Sequence, residues 1–209
     1  MHYAFVIFFT HANEEWLYSV QMKRSLKGNE MRELFIAVDI EATGPVPGKY
    51  SMYEIGAVSV DFPDYDFEAK IALLNDAHDP EALDATGTTM ESLRCCGADP
   101  KKTMENFERW ILNAANFHGR EPVLVAINAP FDWMFVAWYF HTFLGRNPFG
   151  YTALDLKAYF AGKESYAWRR ANKRSMEVHY GGKLPHTHRA LDDARKVAEL
   201  FRLMKHSKL

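Results

Sequence analysis

Apolar residues recur along this chain with two spacings, one typical of buried strands and the other of amphipathic helices. The stretch 75–87 is polar and is predicted to be irregular. Short apolar runs bounded by turn residues predict strands at 35–38, 54–62, 67–73, 123–127 and 153–156. Helical spacing and capping signals predict helices at 88–96, 131–143, 157–161 and 189–205, and a further helix that begins at residue 100.

The order of these elements, three strands followed by alternating helices and strands, predicts an α/β fold. A turn at Pro63-Asp-Tyr separates the second and third strands, which indicates an antiparallel meander beside the first strand. The expected architecture is a mixed sheet, part antiparallel and part parallel, flanked by helices. We expect residues 31–209 to form a single domain. Residues 1–30 fit this pattern poorly and are interpreted as an N-terminal extension. A poorly ordered extension is one of the interpretations of this segment.

Two acidic residues stand at the far end of the first predicted strand. Asp39 and Glu41 are two positions apart, and side chains two apart on a strand project from the same face. Two neighbouring carboxylates repel each other, and burying an unpaired charge is costly. An Asp-x-Glu pair alone is common on solvated strands, so a divalent cation between the two is one interpretation and a plain surface pair is the other.

Further acids occur in matching contexts later in the chain. Asp132 ends the stretch Asn128-Ala-Pro-Phe-Asp, which follows the apolar run 123–127 and opens an aromatic helix. Asp193 opens the last amphipathic helix, five residues after His188. Together with Asp39 and Glu41, these residues follow the order of three exonuclease motifs, and over residues 34–204 the chain resembles the DEDDh family of 3'-5' exonucleases. The resemblance implies a ribonuclease H-like fold.

The resemblance also implies a role for each motif residue. Asp39 is expected to bridge two Mg²⁺ or Mn²⁺ ions, with Glu41 and Asp193 completing the first ion site and Asp132 holding the second. His188 is expected to take the proton from the attacking water, because its ordinary pKa of about 6.5 suits a base near neutral pH. Asp192 lies beside Asp193, but the family spacing selects Asp193 and leaves Asp192 on the surface.

The family resemblance further points to residues that contact the terminal nucleotide. These are Thr43, Gly44 and Val46 in the loop after the first strand, and Asn128 and Phe131 in the second motif. Glycine permits close approach of a substrate to the backbone. For Val46 a simple turn is the alternative interpretation, and for Phe131 the alternative is core packing.

A basic and aromatic cluster spans residues 168–174, with Tyr166 nearby. Such a mixture suits phosphate contacts and base stacking with a single-stranded nucleic acid, although charge runs are commonly just solvated helix faces. The net charge of the chain is only -2, which argues against a broad basic face for duplex binding.

The two cysteines, Cys95 and Cys96, are adjacent and are poorly spaced for an ordinary disulfide, which favours a reducing, cytoplasmic location. No apolar stretch is long enough to span a membrane. The oligomeric state stays open, with a homodimer among the alternatives.

We therefore predict a metal-dependent 3'-5' exonuclease that releases nucleoside 5'-monophosphates from the 3' ends of single-stranded DNA or RNA. Two alternatives remain at this point. One is a nucleic-acid-binding module of the same fold without hydrolysis, and the other is an oligoribonuclease-like enzyme restricted to short oligonucleotides. The residues do not distinguish ribose from deoxyribose, because the 2'-hydroxyl is recognised by details of pocket shape.

Overall fold

The computed structural model describes residues 33–181 and 188–207. The predicted N-terminal extension, residues 1–30, lies outside the described residues. None of the helices in these two described ranges is both long and apolar enough to cross a membrane.

The described chain forms a five-stranded mixed sheet, in the spatial order β3-β2-β1-β4-β5. The three strands β1, β2 and β3 pair antiparallel, whereas β4 pairs parallel to β1 and to β5. This confirms the predicted antiparallel meander with parallel strands added on one side. The strands are β1 (Glu33–Ala42), β2 (Met52–Ser59), β3 (Asp66–Lys70), β4 (Glu121–Ala126) and β5 (Ala153–Asp155).

Helices follow the meander and alternate with the parallel strands. They are α1 (Pro80–Thr86), α2 (Met90–Arg94), α3 (Pro100–His118), α4 (Pro130–Leu144), α5 (Leu156–Lys163), α6 (Lys173–Tyr180) and α7 (Ala190–His206).

Hydrophobic cores cover the two faces of the sheet. Ile36, Val38 and Ile40 of β1 belong to the core that contains side chains of α3 and α4. Ala37 belongs to the other core, which contains side chains of α5 and α7. Because side chains alternate along a strand, Asp39 and Glu41 project from the same face as Ala37, toward α7.

Local capping signals account for two of the helix starts that were predicted, those of α2 and α3. Asp99 caps α3, where its side chain accepts a hydrogen bond from the backbone N of Lys102 at 2.8 Å. Thr89 caps α2 through reciprocal hydrogen bonds with Ser92. Such caps satisfy backbone N–H groups that have no partner within the helix, so they can be identified from neighbouring residues alone.

Two helices were not predicted. The stretch expected to be irregular contains α1, whose cap, Asp79, accepts from the backbone N of Glu81 and which ends at Gly87 with a φ of 64°. The charged stretch after residue 168 continues into α6, which buries only Met176 and therefore lacks a strong apolar pattern. His179 lies in this helix, with its Nε2 3.2 Å from the Oε2 of Glu164.

Candidate active site

Asp132 is held against the strand that carries the acid pair. It is the third residue of α4, it is buried, and its Oδ1 accepts a hydrogen bond from the backbone N of Ile40 at 3.1 Å. Ile40 stands between Asp39 and Glu41 in β1. The first turn of α4 is therefore joined to the segment of β1 that carries the predicted metal ligands.

Asp193 approaches the same region from α7. Its carboxylate is buried, and its Oδ1 lies 2.6 Å from the Nζ of Lys173. Asp192, in contrast, is half-buried and lies near the guanidinium groups of Arg189 and Arg195. As predicted, Asp193 faces the interior, while Asp192 belongs to the surface.

The four acids influence one another electrostatically. Burial raises the pKa of Asp39 well above its usual value, and repulsion from Asp132, Glu41 and Asp193 raises it further, whereas Lys173 acts in the opposite direction. Burial and neighbouring carboxylates raise the pKa of Glu41 to about 8. Burial raises the pKa of Asp132 to about 7. Ionising the whole cluster therefore requires positive charge beyond that of one lysine.

The chemistry of this cluster fits a divalent cation, because carboxylate oxygens are the preferred ligands of Mg²⁺ and Mn²⁺. Across residues 33–181 and 188–207, however, no three or more His, Cys, Asp and Glu side chains converge closely enough to hold a metal ion. Two of the oxygens face other groups, since Asp193 contacts Lys173 and Asp132 accepts from Ile40. The acids thus share one electrostatic environment, and their role as metal ligands stays a prediction.

Two of the predicted site residues have an unusual backbone. His188 has a φ of 50° and Asn128 a φ of 57°, in the left-handed region that non-glycine residues rarely adopt. Backbone outliers of this kind cluster at functional sites, where the surrounding structure maintains them. His188 is exposed, two residues before the start of α7, and its role as a base stays a prediction.

The structure gives two of the predicted substrate contacts a different explanation. Thr43 is fully buried, and its hydroxyl donates to the carbonyl of Ala77 at 2.8 Å and accepts from the backbone N of Ser51 at 3.0 Å. At Gly44, an added Cβ would lie 2.6 Å from the ring of Tyr50. The side chain of Thr43 therefore stabilises the loop rather than facing a substrate, and the close approach at Gly44 is made by Tyr50.

The other predicted contacts are accessible. Val46 is 50% exposed and Phe131 is 38% exposed, although both are apolar. The ring of Phe131 lies 5.3 Å from that of Phe135, so it rests on the core without entering it. This exposure leaves both side chains available to a nucleotide.

A cavity of about 390 Å³ opens beside Asp39. Its polar lining combines one of the predicted metal ligands with two lysines and two amides: Asp39, Asn128, Lys157, Asn172 and Lys173. Lys157 is also held against the ring of Trp168, with its Nζ 4.3 Å from the ring centroid. Lys173 of the predicted basic and aromatic cluster therefore contributes a cation directly to the cavity that contains Asp39, and Trp168 of the same cluster contacts the second lysine.

Sequence reasoning missed two charged residues beside the acids. Lys173 was assigned to the basic cluster but not to the acids, although it contacts Asp193. Glu54 of β2 is buried, and its Oε1 accepts a hydrogen bond from the backbone N of Ala190 at 2.9 Å. No local signal identifies either contact, because each joins elements that are distant in the sequence.

Comparison with known proteins identifies the family of this chain. A family model described as Exonuclease matches residues 36–201. The 3'-5' DNA exonuclease Cap18 of Escherichia coli is 42% identical to this chain over 176 residues, which cover 83% of this chain and 92% of Cap18.

Solved exonuclease structures share the fold at low sequence identity. The nuclease domain of 3'hExo, a DEDDh family member bound to rAMP, has a TM-score of 0.63 at 14% identity, covering 85% of this chain and 94% of that one. E. coli Exonuclease I in complex with a dT13 oligonucleotide has a TM-score of 0.63 at 16% identity, covering 83% of this chain but 41% of that one. The cell-death related nuclease CRN-4 has a TM-score of 0.63 at 17% identity, covering 84% of this chain and 66% of that one. The chain therefore belongs to the Exonuclease family, is a 3'-5' exonuclease, and has the ribonuclease H-like fold that DEDDh exonucleases share.

Proposed function

We propose that this exonuclease depends on two divalent ions, Mg²⁺ or Mn²⁺, and removes nucleoside 5'-monophosphates from the 3' end of single-stranded DNA. The observation that carries the proposal is the position of four acids from three elements of the fold. Asp39 and Glu41 lie on one face of β1, and Asp132 of α4 accepts a hydrogen bond from Ile40 between them. Asp193 is buried in α7, the helix that packs on that face. Such a cluster is costly in an empty protein, and bound cations offset that cost.

Each acid has a proposed role at the ions. Asp39 would contact both, Glu41 and Asp193 would complete one site, and Asp132 would hold the other. When bound, such ions stabilise the attacking and leaving oxygens at a phosphodiester. His188 would accept the proton of the attacking water, and its exposed position leaves it accessible to a substrate.

The walls of the cavity support a nucleic-acid substrate. Lys157 and Lys173 place two cations beside Asp39, where they suit the phosphates of a polynucleotide. Trp168 is 55% exposed, and a tryptophan on a basic surface suits stacking against an unpaired base. Val46 and Phe131 offer apolar surface for the terminal nucleotide.

DNA is the substrate class that the relatives favour. Cap18, the relative with substantial sequence identity, is described as a DNA exonuclease. Exonuclease I, which shares the fold, was solved with a dT13 oligonucleotide. We therefore propose deoxyribose specificity, with action on very short oligonucleotides as the second candidate because the cavity of about 390 Å³ accommodates only a small part of a strand.

A degradation assay tests this function. We expect Mn²⁺-dependent shortening of a 5'-labelled single-stranded DNA from its 3' end, with slower cleavage of matched RNA and duplex DNA. A ladder that keeps the 5' label would establish the direction, and nucleoside 5'-monophosphates identified by mass spectrometry would establish the bond that is cut. Faster cleavage of RNA would refute the DNA assignment, and degradation of dinucleotides alone would favour the second candidate. Binding of single-stranded DNA without any cleavage would instead indicate a silent binding module.

The cytoplasm is the proposed location. Cys95 and Cys96 are both exposed and form no disulfide, as expected for a reducing compartment. The oligomeric state, including a homodimer, can be measured by light scattering on the full chain.

A further inference from the structure

Two buried acids of the described residues, Glu54 and Glu108, are not among the four predicted metal ligands. Glu54 is only 8% exposed, and it lies in β2, all of whose residues are buried. A buried carboxylate is costly unless hydrogen bonds or cations compensate it. Its position therefore calls for a specific partner.

That partner is the beginning of α7. The backbone N of Ala190, the first residue of α7, donates to the Oε1 of Glu54 at 2.9 Å. The residue that precedes the helix, Arg189, makes no capping hydrogen bond with its side chain. Glu54 thus supplies from a neighbouring strand the acceptor that a local cap would otherwise supply, and its negative charge suits the positive end of the helix dipole.

A second contact holds the same turn of α7 against β2. Gly56, two positions after Glu54 and on the same face of the strand, lies so close to α7 that an added Cβ would be 2.2 Å from the backbone N of Leu191. The hydrogen bond from Ala190 to Glu54, together with the close packing that Gly56 allows, determines where α7 begins. Asp193 follows Ala190 by three residues, so it lies less than one helical turn from the anchored end.

The strand register brings this anchor next to another acid. Glu41 and Glu54 are directly paired across β1 and β2, so their side chains lie on the same face of the sheet. Like charges directly opposite each other destabilise a sheet. A sequence that keeps an unfavourable local pair commonly does so at a functional position.

We propose that Glu54 is a positioning residue of this exonuclease, which anchors the first turn of α7 and thereby sets Asp193 relative to Asp39 and Glu41. The inference rests on the proposed function, because it assigns Asp193 to the metal site. Glu54 itself acts through the backbone of Ala190 and touches neither substrate nor ion in this account.

The test compares Glu54→Ala and Glu54→Gln in the full chain. Alanine removes the acceptor, whereas glutamine removes the charge but keeps an amide oxygen that can accept from Ala190. We expect Glu54→Ala to lower kcat and Mn²⁺ affinity by about 10–100-fold, the usual effect of removing a residue that orients a metal ligand. The KM for the oligonucleotide should change little, and Glu54→Gln should restore most of kcat. Hydrogen exchange of residues 190–193 should accelerate in the alanine variant and be restored by glutamine.

Glu108→Ala is the matched control. Glu108 is also a buried glutamate, and it receives two hydrogen bonds of 2.7 Å from Arg146, but it lies on α3. Its loss should reduce the melting temperature while kcat and Mn²⁺ affinity stay at wild-type values.

Each possible outcome distinguishes the two proposals. If wild type cleaves DNA and Glu54→Ala only melts earlier, as the control does, the positioning role is refuted and the function stands. If glutamine is as damaging as alanine in kcat and in hydrogen exchange, the charge matters rather than the anchor, and the inference is again wrong. If wild type neither cleaves DNA nor binds Mn²⁺, the proposed function fails, whereas hydrogen exchange still reports whether Glu54 anchors α7.

Discussion

Replacing Gly56 by alanine tests whether the position of α7 on the sheet controls catalysis. An alanine Cβ at this position would lie 2.2 Å from the backbone N of Leu191, and ordinary van der Waals contact begins at 3.4 Å. The difference, 3.4 minus 2.2, means that α7 and β2 must separate by about 1.2 Å at this point. The three nearest atoms all belong to the backbone of Ala190 and Leu191, so rotation of a side chain cannot relieve the clash.

The shift should reach the site, because Asp193 follows Leu191 by two residues in the same rigid helix. A misplacement of about 1 Å can lower an enzymatic rate by about 10²-fold. Forcing extra volume into a well-packed interior also costs about 1–3 kcal/mol of the free energy of unfolding. We therefore expect Gly56→Ala to fold with a lower melting temperature and to lose most of its nuclease activity.

Gly162→Ala is the control for this substitution. Gly162 lies in α5, an added Cβ there meets nothing within 4 Å, and alanine favours a helix over glycine by about 0.5–1 kcal/mol. The assay measures the initial rate of shortening of a 5'-labelled DNA, with circular dichroism to verify folding. A folded Gly56→Ala variant that cleaves at the rate of Gly162→Ala would refute the reasoning.

Three further predictions concern other parts of the chain. In the folded chain the pKa of Glu41 is about 8 and that of Asp132 is about 7, both above their unfolded values. Protonation therefore favours folding, and the melting temperature in EDTA should fall as the pH rises from about 4 to 8. Mg²⁺ should offset this loss of stability by binding the ionised carboxylates. Replacing Arg170 and Arg174 together by alanine should raise the KM for an oligonucleotide and flatten its salt dependence. A chain that begins at Met31 should keep full nuclease activity, because the family match begins at residue 36.

Each of these has a clear contrary result. A melting temperature in EDTA that stays constant or rises over this pH range would show that the acids are not buried together. An unchanged KM and an unchanged salt dependence would show that the two arginines belong to a solvated surface and do not bind the oligonucleotide. An insoluble or inactive shortened chain would show that residues 1–30 belong to the domain.

Much of the site could be predicted because its signals are local. The two-residue period of a strand places Asp39 and Glu41 on one face whatever surrounds them. The family spacing after His188 selects Asp193 over Asp192, and the structure turns only Asp193 inward. The helix starts at Asp99 and Thr89 likewise depend on neighbouring residues.

What could not be predicted depends on contacts between distant segments. Glu54 meets Ala190 across 136 residues, so its role follows only from the pairing of β1 with β2 and the packing of α7. Thr43 has the expected position after the acid pair, but its hydroxyl bonds to Ala77, 34 residues away, and so turns inward. Lys173 reaches Asp193 only because α6 and α7 are neighbours in the fold.

We propose that Asp39 acts with the other acids on divalent ions to hydrolyse the 3' end of a DNA strand. The most direct measurement is the shortening of a 5'-labelled single-stranded DNA in Mn²⁺ by wild type and by Asp39→Ala, with melting curves of both. Wild type should produce a ladder that EDTA abolishes, whereas Asp39→Ala should give no products and melt no earlier, because the substitution removes a charge from a repulsive cluster. Trimming by Asp39→Ala at the wild-type rate, or wild-type cleavage that EDTA leaves unchanged, would contradict the claim.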